Sequence, residues 1–340
     1  MKEKLRFFGT SLAVTIAALL GALFGLGWSA LLVTLVLILV EITFSFENAV
    51  INAKVLQKMS ERWRIIFLSV GIIIAIFGMR VVFPILIVAF TAHIPWREVI
   101  DLALNNPTLY AEKLTDAHHT IAAFGGAFLL MLCLHFFFDS NKEIHWFKKA
   151  ERKMSQVGHH WIPPVISVAI ILGLAAIPSN HYPGETIKAG LLGIGTYIAV
   201  RGIEHLFSRL QGKPKTEKGK AVLQTGWAAF ATFIYLEILD ASFSFDGVIG
   251  AFAITKSVIL IALGLGVGAI WVRSLTVYMV KKGTLSTYKY LEHGAHYTVG
   301  VLALVLLISL FMEVPEVIAG LAGVIFVTAA FISSRKAMHQ

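Results

Sequence analysis

An all-α, polytopic membrane bundle is the fold class this sequence predicts, on three observations. The 340 residues are 57% hydrophobic and only 14% charged, with a mean hydropathy of +0.78, whereas soluble domains carry about 25% charged residues. Apolar stretches of membrane-spanning length run along the chain with basic residues gathered in alternate connections. Two of those stretches carry the same pattern of acidic residues, which marks an internal repeat.

A helix needs about 20 residues to cross roughly 30 Å of hydrocarbon, so the chain has room for about nine to ten transmembrane helices. The apolar stretches lie near 7–26, 28–53, 65–91, 117–138, 161–178, 186–207, 223–254, 257–280, 295–312 and 314–334. The first reads as a span rather than a cleaved signal peptide, because its apolar core is long and a second span follows at once. Residues 94–114 contain Pro95, Trp96, Asn105, Asn106 and Pro107 and are too polar to cross lipid, so an interfacial or re-entrant piece is expected there. The organisation that follows is a first helix (1–27), a repeat of three helices (28–139), cytoplasmic loops with two connecting helices (140–222), a second repeat of three helices (223–312), and a last helix with a tail (313–340).

Lys and Arg test this count. Basic residues cluster before the first stretch (Lys2, Lys4, Arg6) and after the second (Lys54, Lys58, Arg62, Arg64), fourth (Lys142, Lys148, Lys149, Arg152, Lys153), sixth (Arg209, Lys213, Lys215) and eighth (Lys281, Lys282, Lys289), and again at Arg335 and Lys336. Such alternation places both termini in the cytoplasm of a cell-membrane protein. The net charge of +9 therefore reports orientation, and nucleic acid is not an expected partner. Cys133, the single cysteine, excludes an intrachain disulfide.

The repeat is Glu41-Ile-Thr-Phe-Ser-Phe-Glu47-Asn48-Ala-Val, which returns as Asp240-Ala-Ser-Phe-Ser-Phe-Asp246-Gly247-Val-Ile. Arg80 and Arg273 each lie midway along the next span, and His118 and His293 open the one after. The first copy enters the membrane from outside and the second from the cytoplasm, so the two triplets should be inverted about an axis in the membrane plane.

Glu41, Glu47, Glu237, Asp240 and Asp246 all fall inside apolar runs, where each charge would cost about 2.5–3.5 kcal/mol at a helix centre. They must face one another, water, a proton or a cation. On an ideal helix Glu41, Ser45 and Asn48 form one stripe and Glu237, Asp240, Ser244 and Gly247 another, leaving Glu47 and Asp246 about 120° away. Both acids of a motif reach one site only if the helix unwinds near its Ser-Phe pairs, which would also free carbonyls as ligands. These donors are all oxygen, so manganese, calcium or magnesium fits better than copper or zinc. Clustered carboxylates hold protons that an arriving metal would expel, which makes proton-coupled antiport the expected mechanism. Arg80 and Arg273 are expected as gates or counter-charges, His118 and His293 as proton relays at the two mouths, and Asn52 and Arg201 with Glu204 as capping or snorkelling residues near span ends.

The paired acidic Ser-Phe motifs, each in an apolar helix, resemble the TerC family of integral membrane proteins over roughly 28–138 and 223–311. That family is associated with tellurium resistance and manganese homeostasis, and is similar to small-solute exporters built from inverted three-helix repeats. The resemblance implies export of a divalent metal, manganese first, through a site of Glu41, Ser45, Glu47, Asn48, Glu237, Asp240, Ser244 and Asp246. The family pattern has Asp-Asn after the serine, where this chain has Glu47-Asn48 and Asp246-Gly247. Two other classes compete: a membrane scaffold in which acids and arginines only fix helix packing, and a metalloenzyme built on His118, His119, His159, His160, His293 and His296. No His-Glu-x-x-His motif supports an enzyme, and no Gly-rich phosphate loop follows a strand, so no organic cofactor is expected. The expected partners are the lipid bilayer, metal cations and protons.

Overall fold

The computed structural model describes residues 2–210, 223–312, 314–315 and 317–338. Within them every regular element is a helix, and the one β-type contact is an isolated bridge between Met59 and Gln224. The polytopic helical bundle is thus the observed fold, and each predicted apolar stretch is helical. The first is α1 (Lys2–Leu26); the second breaks into α2 (Trp28–Phe44) and α3 (Phe46–Leu56); the third is α4 (Glu61–Ile73), a π-helical segment (Ile74–Val82) and α5 (Phe83–Ala92).

α5 stops where His93 turns left-handed (φ 56°) ahead of Ile94 and Pro95. The polar segment beyond it forms α6 (Trp96–Asn105) and α7 (Pro107–Asp116). At 10 residues each, both are too short to cross the hydrocarbon. They lay Val99, Ala103, Tyr110 and Leu114 on the bundle, in keeping with an interfacial piece. Asn106 caps α7 by accepting from the Leu109 amide at 3.3 Å, with Pro107 in the first turn where no amide donor is missed.

Next come α8 (His118–Phe137), α9 (Lys148–Val157), α10 (Ile162–Ala175) and α11 (Pro183–Leu210), then α12 (Gly226–Ile254) and α13 (Val258–Lys282). Ser257 caps α13 at its start, and Gly283 ends it in the left-handed conformation (φ 62°). The short α14 (Thr284–Thr287), α15 (Leu291–Ile308) and α16 (Val317–Met338) complete the described chain. Six described helices are long and apolar enough to cross a membrane, or up to eight when the bent pairs α2–α3 and α9–α10 each count as one span, fewer than the nine to ten expected. α12, although 29 residues long, is made less apolar by Glu237, Asp240 and Asp246. α8, α13 and α15 are 61%, 56% and 67% buried along their apolar windows, against 17% for α1 and 28% for α16. α8, α13 and α15 therefore form the centre, whereas α1, α16 and the repeat span Glu61–Phe90, at 22%, lie at the periphery.

Contacts give the helix directions. α2 runs parallel to α13, because Leu37 faces Gly264 while Glu41 faces Gly268. α4 and its continuation run parallel to α12: Trp63 lies against Phe230 and Phe233, Gly71 against Glu237, and Met79 and Phe83 beside Ala241 and Ser242. α12 and α13 form a hairpin that brings Glu237 beside Arg273, so α2 and α12 are antiparallel. α8 and α15 also cross antiparallel, with Gly126 on Leu307 at one end and Phe136 stacked on His296 at the other. Exchanging α2 with α12, α4 with α13 and α8 with α15 maps this contact set onto itself. That is the inverted three-helix repeat, and its register is wider than the acidic motif: Gly71 precedes Arg80 by the same interval as Gly264 precedes Arg273.

Close packing at these glycines holds the acid-bearing helices in place. A Cβ on Gly268 would lie 2.5 Å from the Cβ of Glu41, and one on Gly264 would lie 2.5 Å from that of Leu37. Gly268→Ala is therefore expected to push α2 from α13 and to cost about 1–3 kcal/mol, the usual penalty of overpacking. Thermal unfolding of the purified protein should show the loss for Gly268→Ala and none for Gly173→Ala, where a Cβ meets nothing within 4 Å. Equal melting of the two variants would contradict this packing.

Candidate functional site

The second apolar stretch breaks inside the first acidic motif. Ser45 departs from helical geometry (φ −107°, ψ 18°) between α2 and α3, which meet at 49°. Its hydroxyl donates to Glu41 Oε1 at 3.0 Å. The break turns Glu47, which an unbroken helix would aim elsewhere, toward the same space as Glu41. Both carboxylates line a cavity of about 40 Å³ together with Ser45, Gly247, Thr298 and Gly320. A water needs about 10–15 Å³ of such space, so this cavity holds about three waters or a partly dehydrated ion.

The expected unwinding of the second motif is not found. α12 is one helix through Asp240, Ser244, Asp246 and Gly247. The physical difference is the residue after the second acid. Asn48 Nδ2 donates to Asp240 Oδ1 across the pseudo-two-fold axis and anchors the first turn of α3, whereas Gly247 has no side chain with which to return the contact. Gly247 instead lets the α12 backbone approach Glu41, whose Oε2 would lie 3.8 Å from a Cβ placed there. The side chains of Ser244 and Asp246 lie outside the described residues.

Both arginines serve as internal counter-charges. Arg80, in the π-helical segment, donates to Glu41 and to the Ala75 carbonyl. Arg273 donates to the carbonyls of Phe67 (2.9 Å) and Gly71 (2.8 Å), stacks over the Phe67 ring, and lies 3.7 Å from Glu237. Arg273 has Asp240, Glu237 and Arg80 as its charged neighbours, so the two arginines with Glu41, Glu237 and Asp240 form one buried network. Glu237 itself faces away from the small cavity, into an apolar one of about 320 Å³ bounded by the π segment, α8, α11 and α12.

Glu47 has no such counter-charge among the described residues. It is 3% exposed, its Oε2 has no hydrogen-bond partner, and the charge acting on it is that of Glu41. A carboxylate in this position requires a proton or a cation, since an isolated buried charge is several kcal/mol too costly. Among the described residues no three Asp, Glu, His or Cys side chains converge as a ready-made metal cage. What is assembled is a pair of carboxylates with hydroxyl oxygens around them, one acid neutralised by Arg80 and one not.

Asn52 differs from expectation. It is 2% exposed, one helical turn beyond Asn48, with its Oδ1 unpartnered; it extends the polar stripe into the bundle instead of capping or snorkelling. The i, i+4 spacing of the two amides was the available signal. A polar cavity of about 150 Å³, walled by Lys54, Lys58, Arg201, Glu292 and His296, approaches this stripe at Ile51, and Lys54 and Glu292 pair across it at 2.7 Å.

The histidines are dispersed. His118 and His293 open α8 and α15 at opposite ends of the bundle. His119 meets Thr186 at 2.9 Å, and His296 stacks on Phe136 and meets the Glu292 carbonyl. His293 meets the Ile144 carbonyl at 2.8 Å and Glu151 at 3.3 Å. Glu151, which sequence reasoning passed over, is fully buried on α9 and accepts from Lys142 Nζ, the Trp146 and Phe147 amides and the Tyr297 hydroxyl at 2.9–3.1 Å. It fastens the loop after α8 to α15.

Fold and site together define a polytopic membrane helical protein of inverted-repeat architecture with a buried acidic centre. The chain belongs to the family described as protein of unknown function DUF475, whose family model matches residues 46–340. No curated protein and no solved structure matches it.

Proposed function

We propose that this protein exports a divalent metal cation from the cytoplasm, manganese first with calcium or magnesium as alternatives, in exchange for protons at the Glu41–Glu47 cavity. The observation that carries the reading is Glu47, a buried carboxylate without a counter-charge among the described residues, beside a second carboxylate at a helix break. Broken helices at the crossing of inverted repeats are where many secondary transporters hold ions, and π segments recur at functional sites. A metal arriving at Glu47 displaces its proton, and Glu41 joins as a ligand when it leaves Arg80, whose guanidinium otherwise takes the place of a cation. Ser45 and Thr298, which line the same cavity, supply further oxygen donors, with the Asn48 amide adjoining Glu47 in sequence, and the TerC-like motifs agree with manganese as the substrate. With both termini cytoplasmic by the charge of the loops, the polar cavity near Lys54 is the inner approach.

A second reading is favoured by one observation: Glu41 with Arg80 and Glu237 with Arg273 neutralise each other within their own repeats, as a purely structural scaffold would arrange. Purified protein in liposomes separates the two. Under a pH gradient the transporter reading predicts protein-dependent manganese flux, weaker calcium or magnesium flux and little for zinc, collapsing when the gradient is dissipated. No flux of any of these ions through folded, reconstituted protein would leave the scaffold reading standing.

A further inference from the structure

Two cavities follow one another toward the end of the bundle where α3 finishes, and the same three helices wall both. The inner one, of about 150 Å³, takes Ile51 and Val55 from α3, Tyr235 from α12, and Glu292 and His296 from α15. The Glu41–Glu47 cavity, of about 40 Å³, takes Glu47 from α3, Phe243 from α12, and Thr298 and Leu302 from α15.

Helical spacing identifies what stands between them. Glu47, Ile51 and Val55 follow one another four residues apart along α3, so Ile51 lies about 6 Å along the helix from the acid. α12 carries the series Tyr235, Leu239, Phe243 in the opposite sense, as its antiparallel course requires. On α15, Val299 is three residues from His296 of the inner cavity and three from Leu302 of the other. Ile51, Leu239 and Val299 are all buried and belong to one apolar cluster. Repeat symmetry does not demand this collar, since the position matching Ile51 in the second motif is Gly250.

A hydrocarbon collar has no ligand with which to replace an ion's water, and narrow apolar constrictions close by expelling water. α3 is also the segment that can move: it is jointed to α2 at Ser45, where the two meet at 49°, while α2 stays packed on the glycines of α13.

We propose that Ile51, Leu239 and Val299 form a hydrophobic gate between the inner cavity and Glu47, opened by a swing of α3 that carries Ile51 out of the collar. The proposal rests on the acidic centre being a cation site, and it supplies what exchange there requires, a barrier that keeps Glu47 from facing both sides of the membrane at once. Opening parts Lys54 on α3 from Glu292 on α15, now paired at 2.7 Å. Asn52, next to Ile51, holds a buried Oδ1 without a hydrogen-bond partner that meets the ion where Ile51 withdraws.

The test reads access to the acidic centre separately from transport. In the full chain, Thr298→Cys places a thiol at the small cavity and Cys133→Ala removes the native one. Unsealed membranes are treated with silver ion, and the rate at which the thiol becomes protected from a later alkylating mass tag is measured. Ile51→Ala takes three carbons from the collar and should speed protection at least about tenfold. Leu265→Ala, a comparable loss in the separate apolar cluster that includes Val99 and Leu114, should not. If Ile51→Ala does not fold, Ile51→Thr, which hydrates the collar with less loss of volume, decides by the same readout. In liposomes, with Thr298 and Cys133 intact, Ile51→Ala should pass manganese without a pH gradient. Unchanged protection in the Ile51 variant, or equal acceleration by Leu265→Ala, would overturn the gate. Faster protection in Ile51→Ala alone, with no manganese flux in any variant, would uphold the barrier and overturn the export reading.

Discussion

Glu47→Gln is expected to abolish manganese flux, by at least about a hundredfold, while the protein stays folded in the membrane. The magnitude rests on the place of this carboxylate: even outer partners of a bound metal are worth roughly 10- to 100-fold, and Glu47 faces the cavity directly. The retention of fold rests on its few partners. Glu47 Oε2 accepts no hydrogen bond, no cation among the described residues neutralises it, and the backbone hydrogen bond it makes is with its own amide. The carbonyl oxygen of a glutamine also accepts that bond, so the substitution orphans no donor and leaves no buried charge to neutralise. Glu41→Gln is a less clean experiment, because it strands Arg80. Flux and melting temperature measured on one preparation check both halves; lost flux with a collapsed fold, or normal flux with an intact one, would contradict the assignment.

Glu151→Ala is expected to lower stability by about 3–5 kcal/mol, the usual cost of breaking a buried ion pair from one side. The Lys142 side chain is 7% exposed and would lie against the rings of Phe136 and Phe137 without its bonded anion, with only the more weakly acting Glu292 and Asp139 left to it. The amides of Trp146 and Phe147 and the Tyr297 hydroxyl would lose their acceptor as well. Burial pushes the Glu151 carboxyl up, but the hydrogen bonds from His293, Lys142 and the Phe147 amide outweigh it and hold its pKa below the usual carboxylate range. A depressed folded pKa stabilises the protein above the ordinary carboxyl pKa of about 4.3, and that contribution fades as pH falls from there through the lower folded value. Denaturant unfolding should therefore show a constant gap between wild type and Glu151→Gln from pH 8 to about pH 5, narrowing only in stronger acid. A gap that closes near neutrality would place the effect on another group.

Much of the bundle was legible because its signals are local. Spanning length and the repeated acidic motif depend on neighbours in sequence, and they gave the helical bundle and its antiparallel repeats, although six to eight described helices, not nine to ten, are long and apolar enough to span. The need for a break at the first motif was legible as well, since six residues on a straight helix cannot aim Glu41 and Glu47 together. That only one motif breaks was not. It turns on Asn48 reaching Asp240, 192 positions away, and on Gly247 having nothing to send back. Glu151 was hidden for the same reason. Within Lys-Lys-Ala-Glu-Arg-Lys it reads as one charge on a solvated face, and its burial comes from Tyr297, 146 positions distant. The glycines of α13 were visible as composition, but their purpose, closeness to Glu41, exists only in three dimensions.

Manganese binding to the purified chain, read from the loss of the free-ion electron paramagnetic resonance signal, tests the acidic centre most directly. Wild-type protein should take up the ion saturably with release of protons, and Glu47→Gln should neither bind nor release them. Equal binding by the two proteins, or uptake without protons, would contradict a shared site for Glu41 and Glu47.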